Sequence, residues 1–182
     1  MGDVTVMPRD GDWTVDDLDA LPDDGLQYEL ADGVLLVTPG PVLRHQSVIG
    51  ELYHLLRQGC PSELQVFLSP LDFRPTNRRS LQPDLLVVPR QDMAAKSITQ
   101  PLLLAVEVLS PSTRSKDLLL KRGLYEDSGV PSYWVVDPDE PSVTVLELVD
   151  GRYEEVGRAV GSERLEVQLP FPVELQPDLL LG

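Results

Sequence analysis

The feature that most constrains the fold of this 182-residue chain is a pair of carboxylates inside its two most apolar segments. Asp84 heads the apolar residues 85–88, and Glu107 interrupts the apolar run 102–109. Neither run alternates polar with apolar residues, which predicts short strands buried on both faces. A buried carboxylate costs several kcal/mol unless a partner compensates it. A divalent cation with oxygen ligands would compensate both groups on adjacent strands; an Arg partner or a turn cap for each carboxylate is the alternative.

Hydrophobic periodicity predicts a mixed α/β domain built on one sheet. A short helix begins after Thr14, a hairpin turns at Asp32-Gly33, a helix follows over 42–58, and another runs from Ser112 to about Ser128. The predicted strands, including a C-terminal edge strand, are residues 64–68, 71–74, 84–88, 102–109, 132–137, 143–148, 153–156 and 164–169. We expect a single domain over 1–182, with its core at 27–138, C-terminal strands at 143–169 and an irregular tail at 170–182.

Composition is that of a soluble globular protein, with 42% hydrophobic and 25% charged residues. No apolar run approaches the roughly 20 residues that span a bilayer, and the N-terminus lacks the pattern of a signal peptide. Cys60 is the single cysteine, which excludes an internal disulfide and a cysteine zinc cluster. These features predict a cytoplasmic protein that does not bind membranes.

The net charge of −15 is unevenly distributed along the chain. Residues 1–32 hold ten acidic groups against one Arg, and residues 126–182 hold thirteen against three. Residues 70–125 hold nine Lys and Arg against five Asp and Glu, a net of +4, and include Asp84 and Glu107. The overall charge argues against a general nucleic-acid binder, but the segment with the buried carboxylates is net positive.

A hydrolytic site on these strands would need a cation as well as acidic groups. A metal held by Asp84 and Glu107 could also take the Val108 carbonyl as an oxygen ligand, a set that suits Mg²⁺ or Mn²⁺. Lys121 is the candidate cation, since Asp117, Lys121 and Tyr125 share one helix face at spacings of four. An exposed Asp–Lys pair beside a half-buried tyrosine is the alternative interpretation.

Several other residues are candidates for contacts with a phosphate or substrate. The helix start at Ser112 and Thr113 offers backbone N–H groups. Arg78 and Arg79 lie in a loop before the Asp84 strand, and His45 begins a helix, where it could contact phosphate or a carboxylate outside the metal's own ligands. A solvated turn for the arginines and a solvated or capping role for the histidine remain open.

A larger set of motifs resembles the Uma-type family of endonucleases, which belongs to the restriction-endonuclease-like superfamily with the PD-(D/E)xK site. The resemblance covers about residues 12–178. Its most specific part is the run of residues 107–113 placed 23 residues after Asp84, with Lys121 and Tyr125 beyond. The matching residues are Tyr28-Glu29-Leu30 with Asp32-Gly33, Arg44-His45-Gln46, Pro83-Asp84, Glu107-Val108-Leu109-Ser110-Pro111-Ser112-Thr113, Asp117, Lys121, Tyr125 and Tyr133-Trp134-Val135-Val136-Asp137-Pro138.

The resemblance implies a restriction-endonuclease-like fold, a mixed sheet flanked by helices with an αβββαβ core, an N-terminal helix and hairpin, and extra C-terminal strands. It implies that Asp84 and Glu107 are metal ligands, that Glu29 joins them, and that Lys121 replaces the lysine absent at Leu109. The chain departs from the family pattern at Val34, where such sequences often carry Glu.

These observations predict a Mg²⁺- or Mn²⁺-dependent endonuclease that hydrolyses DNA phosphodiester bonds with a metal-activated water. The alternative is a catalytically silent interaction module with a nuclease fold, which could form a homodimer. A nuclease whose DNA contacts come mainly from a DNA-targeting partner protein or a second subunit is also consistent with the sequence.

Overall fold

The computed structural model describes residues 5–38, 40–90, 94–110 and 117–182, with the backbone alone for 117 and 118. Its main sheet has six strands in the order β11-β10-β9-β8-β7-β4. Strands β8 and β9 run parallel and every other neighbouring pair in this sheet is antiparallel. The six strands are β4 (Leu64–Leu68), β7 (Leu85–Pro89), β8 (Leu104–Val108), β9 (Ser132–Asp137), β10 (Ser142–Val149) and β11 (Arg152–Val160).

A second sheet carries the N-terminal hairpin and has the order β1-β3-β2-β6-β5. The hairpin turn needs glycine: Asp32 and Gly33 have φ values of +50° and +90°, and a Cβ at position 33 would lie 2.8 Å from Asp12 Cβ. Its strands are β1 (Thr5–Met7), β2 (Gln27–Ala31), β3 (Val34–Thr38), β5 (Phe73–Thr76) and β6 (Arg79–Leu81).

Within the described ranges, three α-helices accompany the sheets. Helix α1 (Val15–Asp19) is short and begins with a capping box between Thr14 and Asp17. Helix α2 (Leu43–Gly59) buries one side against the main sheet. Helix α3 (Arg122–Asp127) directly continues a π-helical turn, Asp117–Lys121. None of the helices in the described ranges combines the length and apolarity that a membrane crossing requires.

Strand β8 separates two hydrophobic clusters. Leu104, Val106 and Val108 pack on the side of α2, whereas Ala105 packs in the cluster that contains Tyr125. Because side chains alternate along a strand, Glu107 faces the Tyr125 side. This strand therefore presents a carboxylate to α3 and leaves the α2 side wholly apolar.

The predicted restriction-endonuclease-like α/β fold is confirmed, but several local expectations are wrong. The tail is not irregular: residues 165–167 and 173–175 pair as strands β12 (Leu165–Val167) and β13 (Val173–Leu175), and a 3-10 helix follows at Pro177–Leu181. Phe171, Val173 and Leu175 are buried at alternate positions against the α2 side of the core, a period of two that was overlooked.

Other boundaries differ from the sequence-based expectations. The predicted strand 71–74 lies at Phe73–Thr76 and pairs with a second short strand, Arg79–Leu81, across a turn. The predicted strand 153–156 is longer, Arg152–Val160, because its pairing with β10 continues past a bulge. The predicted helix start at Ser112 and Thr113 lies outside the described residues.

Candidate active site

A buried lysine links two buried carboxylates at the centre of the site. Lys121 Nζ lies 3.0 Å from Glu29 Oε1 and 3.0 and 3.1 Å from the two carboxylate oxygens of Glu107. The side chains are 7%, 5% and 3% exposed, respectively. Glu29 comes from β2 and Glu107 from β8, so the ion pairs join the hairpin sheet to the main sheet. The alternative of an exposed Asp–Lys pair is wrong for Lys121, because this lysine is buried.

The π-helical turn determines where Lys121 enters the site. The turn ends at Lys121, directly before α3. Leu119, two residues earlier, is 80% exposed, while Lys121 is 5% exposed. Single π-helical turns often occur at functional sites. The lysine is thus supplied from a helical turn and not from the end of β8, which Leu109 directly follows.

Asp84 lies just before β7 and is held by the end of β8. Its Oδ2 accepts a hydrogen bond from Val108 N–H at 2.8 Å and lies 3.2 Å from His45 Nε2. The Val108 carbonyl is 2.9 Å from the same His45 nitrogen. Within the described residues no hydrogen bond reaches Asp84 Oδ1. Asp84 and Val108 therefore lie next to each other, and His45 contacts both of them.

Tyr125 lies at the site and is shielded from solvent. It is fully buried, and its hydroxyl donates to Glu107 Oε1 at 2.7 Å. Burial, followed by the negative charges of Glu107 and Glu29, raises the pKa of Tyr125 well above its usual value near 10. In this structure the phenol is a neutral hydrogen-bond donor to a site carboxylate, and a substrate contact at Tyr125 stays a prediction.

The two predicted arginines lie at the hairpin. Arg79 is buried, and its guanidinium bonds both carboxylate oxygens of Asp32, the Leu124 carbonyl and the Ser128 hydroxyl. Through these bonds Arg79 links α3 to the hairpin turn. It is therefore not part of a solvated loop. Arg78 is half exposed, pairs with Asp12 and donates to the Asp32 carbonyl. A phosphate contact therefore stays a prediction for both arginines. At Arg79 four of the five guanidinium donors are already used within the protein.

One contact that sequence reasoning missed is made by a backbone group. Gln82 N–H donates to Glu29 Oε1 at 2.8 Å, so this oxygen accepts from both Gln82 and Lys121. The interaction fixes Glu29 relative to the segment that leads to Asp84. No residue type is required of a backbone donor, and no sequence pattern could have revealed it.

The donor chemistry of the site suits a hard divalent cation. Glu29, Asp84 and Glu107 bring three formal negative charges against the one positive charge of Lys121, which leaves a formal charge of −2 beside a neutral phenol. The ligands available to a cation are all oxygens, as Mg²⁺ prefers. Across the described ranges no three His, Cys, Asp or Glu side chains cluster closely enough to hold a metal. A centre here would therefore rely on Asp84, Glu107 and the Val108 carbonyl, a set that fits such an ion.

The fold is that of a restriction-endonuclease-like protein. A family model, Uma2, described as "Putative restriction endonuclease", matches residues 15–181. The chain belongs to the Uma2 family, as its motifs indicate. Comparison with curated proteins finds no match.

A solved structure supports the fold independently of sequence motifs. It is described as "a putative nuclease belonging to DUF820" from Anabaena variabilis ATCC 29413, and it superposes with a TM-score of 0.73. The two chains are 21% identical, and the match covers 92% of this chain and 97% of the other. At this identity the likeness defines the shared architecture.

Proposed function

We propose that this protein is a Mg²⁺-dependent endonuclease that hydrolyses phosphodiester bonds in DNA. The observation that carries the proposal is the buried Glu29–Lys121–Glu107 group, which adjoins the contact between Val108 and Asp84. Membership of the Uma2 family, described as "Putative restriction endonuclease", supports the same activity. Mn²⁺ would satisfy the same oxygen donors.

In this proposal Asp84, Glu107 and the Val108 carbonyl would hold the cation, with Glu29 adding negative charge directly or through water. When bound, a divalent cation lowers the pKa of a coordinated water and offsets charge on the scissile phosphate. Lys121 would orient the attacking water or offset the negative charge that develops on the phosphate. Tyr125 and Gln82 would keep Glu107 and Glu29 fixed, through the hydroxyl and the backbone N–H respectively.

Calorimetric titration of Mg²⁺ and Mn²⁺ into the wild type and into an Asp84→Asn, Glu107→Gln double variant tests the metal centre. We expect binding in the wild type and its loss in the double variant, since two of the proposed ligands lose their charge. Asp139→Asn, Glu147→Gln is the matched control, because Asp139 pairs with Arg44 at the surface and Glu147 lies on β10.

Plasmid cleavage with the same proteins tests turnover. Metal-dependent nicking or cutting by the wild type and the control variant, but not by the double variant, is the expected result. Full cleavage by Asp84→Asn would exclude the assigned site. Absence of metal binding and cleavage in the wild type would instead favour the silent module, in which the Lys121 ion pairs with Glu29 and Glu107 serve the fold.

A further inference from the structure

His45 contacts two groups of the proposed metal centre, the Asp84 carboxylate just before β7 and the Val108 carbonyl at the end of β8. We infer that His45 is a positioning residue that fixes Asp84 and the Val108 carbonyl relative to each other. The inference rests on the proposed function, in which these two groups are oxygen ligands. In this role His45 binds neither the metal nor the substrate.

The contacts of His45 define this role. Its Nε2 hydrogen-bonds the Val108 carbonyl at 2.9 Å and lies 3.2 Å from Asp84 Oδ2. The same Asp84 oxygen accepts the Val108 N–H at 2.8 Å. One nitrogen of His45 therefore contacts both groups, and Asp84 is held on its Oδ2 side while Oδ1 has no hydrogen bond within the described residues. This arrangement orients one carboxylate oxygen for a ligand.

The chemistry of the acceptor excludes Nε2 as a metal ligand in this arrangement. A backbone carbonyl can only accept, so the Nε2 that bonds Val108 must carry a hydrogen. A ring nitrogen that carries a hydrogen has no free lone pair with which to coordinate a metal. Histidines and carboxylates outside the ligand set commonly orient metal ligands, and their loss costs 10- to 100-fold in metal affinity or activity.

The packing of α2 fixes His45 from the other side. His45 is 9% exposed and lies in the first turn of α2. Residues 48, 49 and 52, at spacings of three, four and seven from it, are buried in the core cluster beneath the helix. The imidazole is thus held by a rigid element and is too buried to act as a surface phosphate contact. The expected phosphate contact at this residue is accordingly replaced by a contact within the protein.

Calorimetric Mg²⁺ titration of three variants tests the inference. His45→Ala should bind Mg²⁺ about tenfold more weakly than wild type or worse, because Asp84 and the Val108 carbonyl lose their shared donor. His45→Gln, whose side-chain amide can donate a similar bond, should recover part of the affinity. His54→Ala is the matched control: His54 lies on the same helix and contacts Gln58 near the surface, and its loss should leave affinity unchanged.

Amide hydrogen exchange gives a readout without metal. The Val108 N–H is bonded to Asp84 Oδ2, so His45→Ala should raise its exchange rate relative to wild type and His54→Ala, and His45→Gln should restore slower exchange. The measurement is made by NMR on the metal-free protein. It follows the orientation of Asp84 in a folded sample and is independent of turnover.

The outcomes separate this inference from the proposed function. Unchanged or tighter Mg²⁺ binding in His45→Ala, with binding lost in Asp84→Asn, would overturn the positioning role and leave the metal centre in place. Absence of Mg²⁺ binding in the wild type would overturn both. Weaker binding in His45→Ala with faster Val108 exchange and recovery in His45→Gln is the supporting result.

Discussion

The buried Lys121 side chain pairs with both Glu29 and Glu107, so it offsets negative charge from two strands of the site. Replacing it with methionine keeps the length of the side chain and removes the charge. We expect Lys121→Met to lower the free energy of unfolding by about 3–5 kcal/mol, since a buried ion pair that loses one partner leaves uncompensated charge. Urea denaturation measures this change.

Lys96→Met is the control for that variant, because Lys96 is exposed. Its replacement should change the free energy of unfolding by less than about 0.5 kcal/mol. Adding Glu29→Gln to Lys121→Met should recover part of the lost stability by removing one of the two carboxylates. An equally small effect of both lysine substitutions would show that the Lys121 ion pairs contribute little to the fold.

Tyr125 belongs to a stack of three tyrosines that offers a matched pair of variants. Its ring centroid is 5.2 Å from that of Tyr133, which is 5.7 Å from that of Tyr153. Tyr125 and Tyr153 both donate from buried hydroxyls, to Glu107 and to the Val130 carbonyl respectively. Each change to phenylalanine leaves a buried acceptor short of one donor and should cost about 1–3 kcal/mol of stability.

The two variants should differ in function. Tyr125→Phe should weaken metal binding and cleavage by about 10- to 100-fold, because Glu107 loses the donor that orients it, whereas Tyr153→Phe should leave both unchanged. Calorimetry and plasmid cleavage on the same preparations measure this. Equal effects of the two changes on metal affinity would mean that the Tyr125 hydroxyl acts on the fold alone.

For single residues, the sequence indicates the acidic residues and Lys121 as candidates. It does not indicate which groups hydrogen-bond to the carboxylates. Asp84 and Glu107 stand out because carboxylates are unusual inside apolar runs, and Lys121 because of its helical spacing to Tyr125. The donors from Gln82 and Val108 are backbone N–H groups, which any residue except proline could supply. The contact of His45 with Val108 spans 63 positions and depends on how α2 crosses the sheet.

Among the elements, α2 has the most direct role in supporting the site, because it carries His45 and packs against the main sheet. Leu52 is fully buried in the middle of this helix, whereas Leu43 at its start is 91% exposed. Leu52→Ala should reduce the free energy of unfolding by about 2–5 kcal/mol through lost burial and a cavity. Urea denaturation of both alanine variants checks this, and Leu43→Ala should change stability by less than about 0.5 kcal/mol.

Long periodic elements were predictable and locally irregular ones were not. Helix α2 and the strands Ser132–Asp137 and Leu64–Leu68 lie within a residue or two of their predicted positions, because their apolar spacing is dictated by burial. The π-helical turn at Asp117–Lys121 has no comparable signal, since it differs from an α-helix by one hydrogen-bond step. The Val173–Leu175 strand was missed because its period of two spans only a few residues between prolines.

At the scale of the whole molecule, acidic residues neutralise much of the basic charge. Within the described residues, eight basic side chains pair with carboxylates: Arg9, Arg44, Arg74, Arg78, Arg79, Lys121, Arg152 and Arg164. With a net charge of −15, long-range attraction to a phosphate backbone is weak. A partner protein or second subunit that supplies cationic contacts remains a proposal consistent with this surface.

This charge balance predicts a shallow salt dependence if the chain binds DNA by itself. We expect affinity to fall by no more than about tenfold between 50 and 200 mM salt, compared with about 10³- to 10⁵-fold for proteins with 6–10 phosphate contacts. Fluorescence anisotropy of a labelled duplex with the Asp84→Asn variant measures this without cleavage. A steep dependence would reveal a cationic surface that the ion pairs do not neutralise.

Two arginine variants test where on the protein a DNA phosphate makes contact. Arg78 and Arg164 are 52% and 71% exposed, and each pairs with one carboxylate. Arg78→Gln should reduce the salt slope by about 1 if the hairpin touches a phosphate, and Arg164→Gln should not.

The architecture that places these residues followed from the family resemblance, whereas the expected single domain over 1–182 stays a prediction.

The residues of the site are distant in sequence, from position 29 in the hairpin to position 121 before α3. Strand β8 also needs its parallel partner β9, which is synthesised later still. Because a domain generally folds as a unit once its chain is available, a nascent chain that ends before β9 lacks the contacts that assemble the site. A nuclease built this way would stay inactive on the ribosome until most of its sequence has emerged, and prematurely terminated products would be harmless to the genome of the cell.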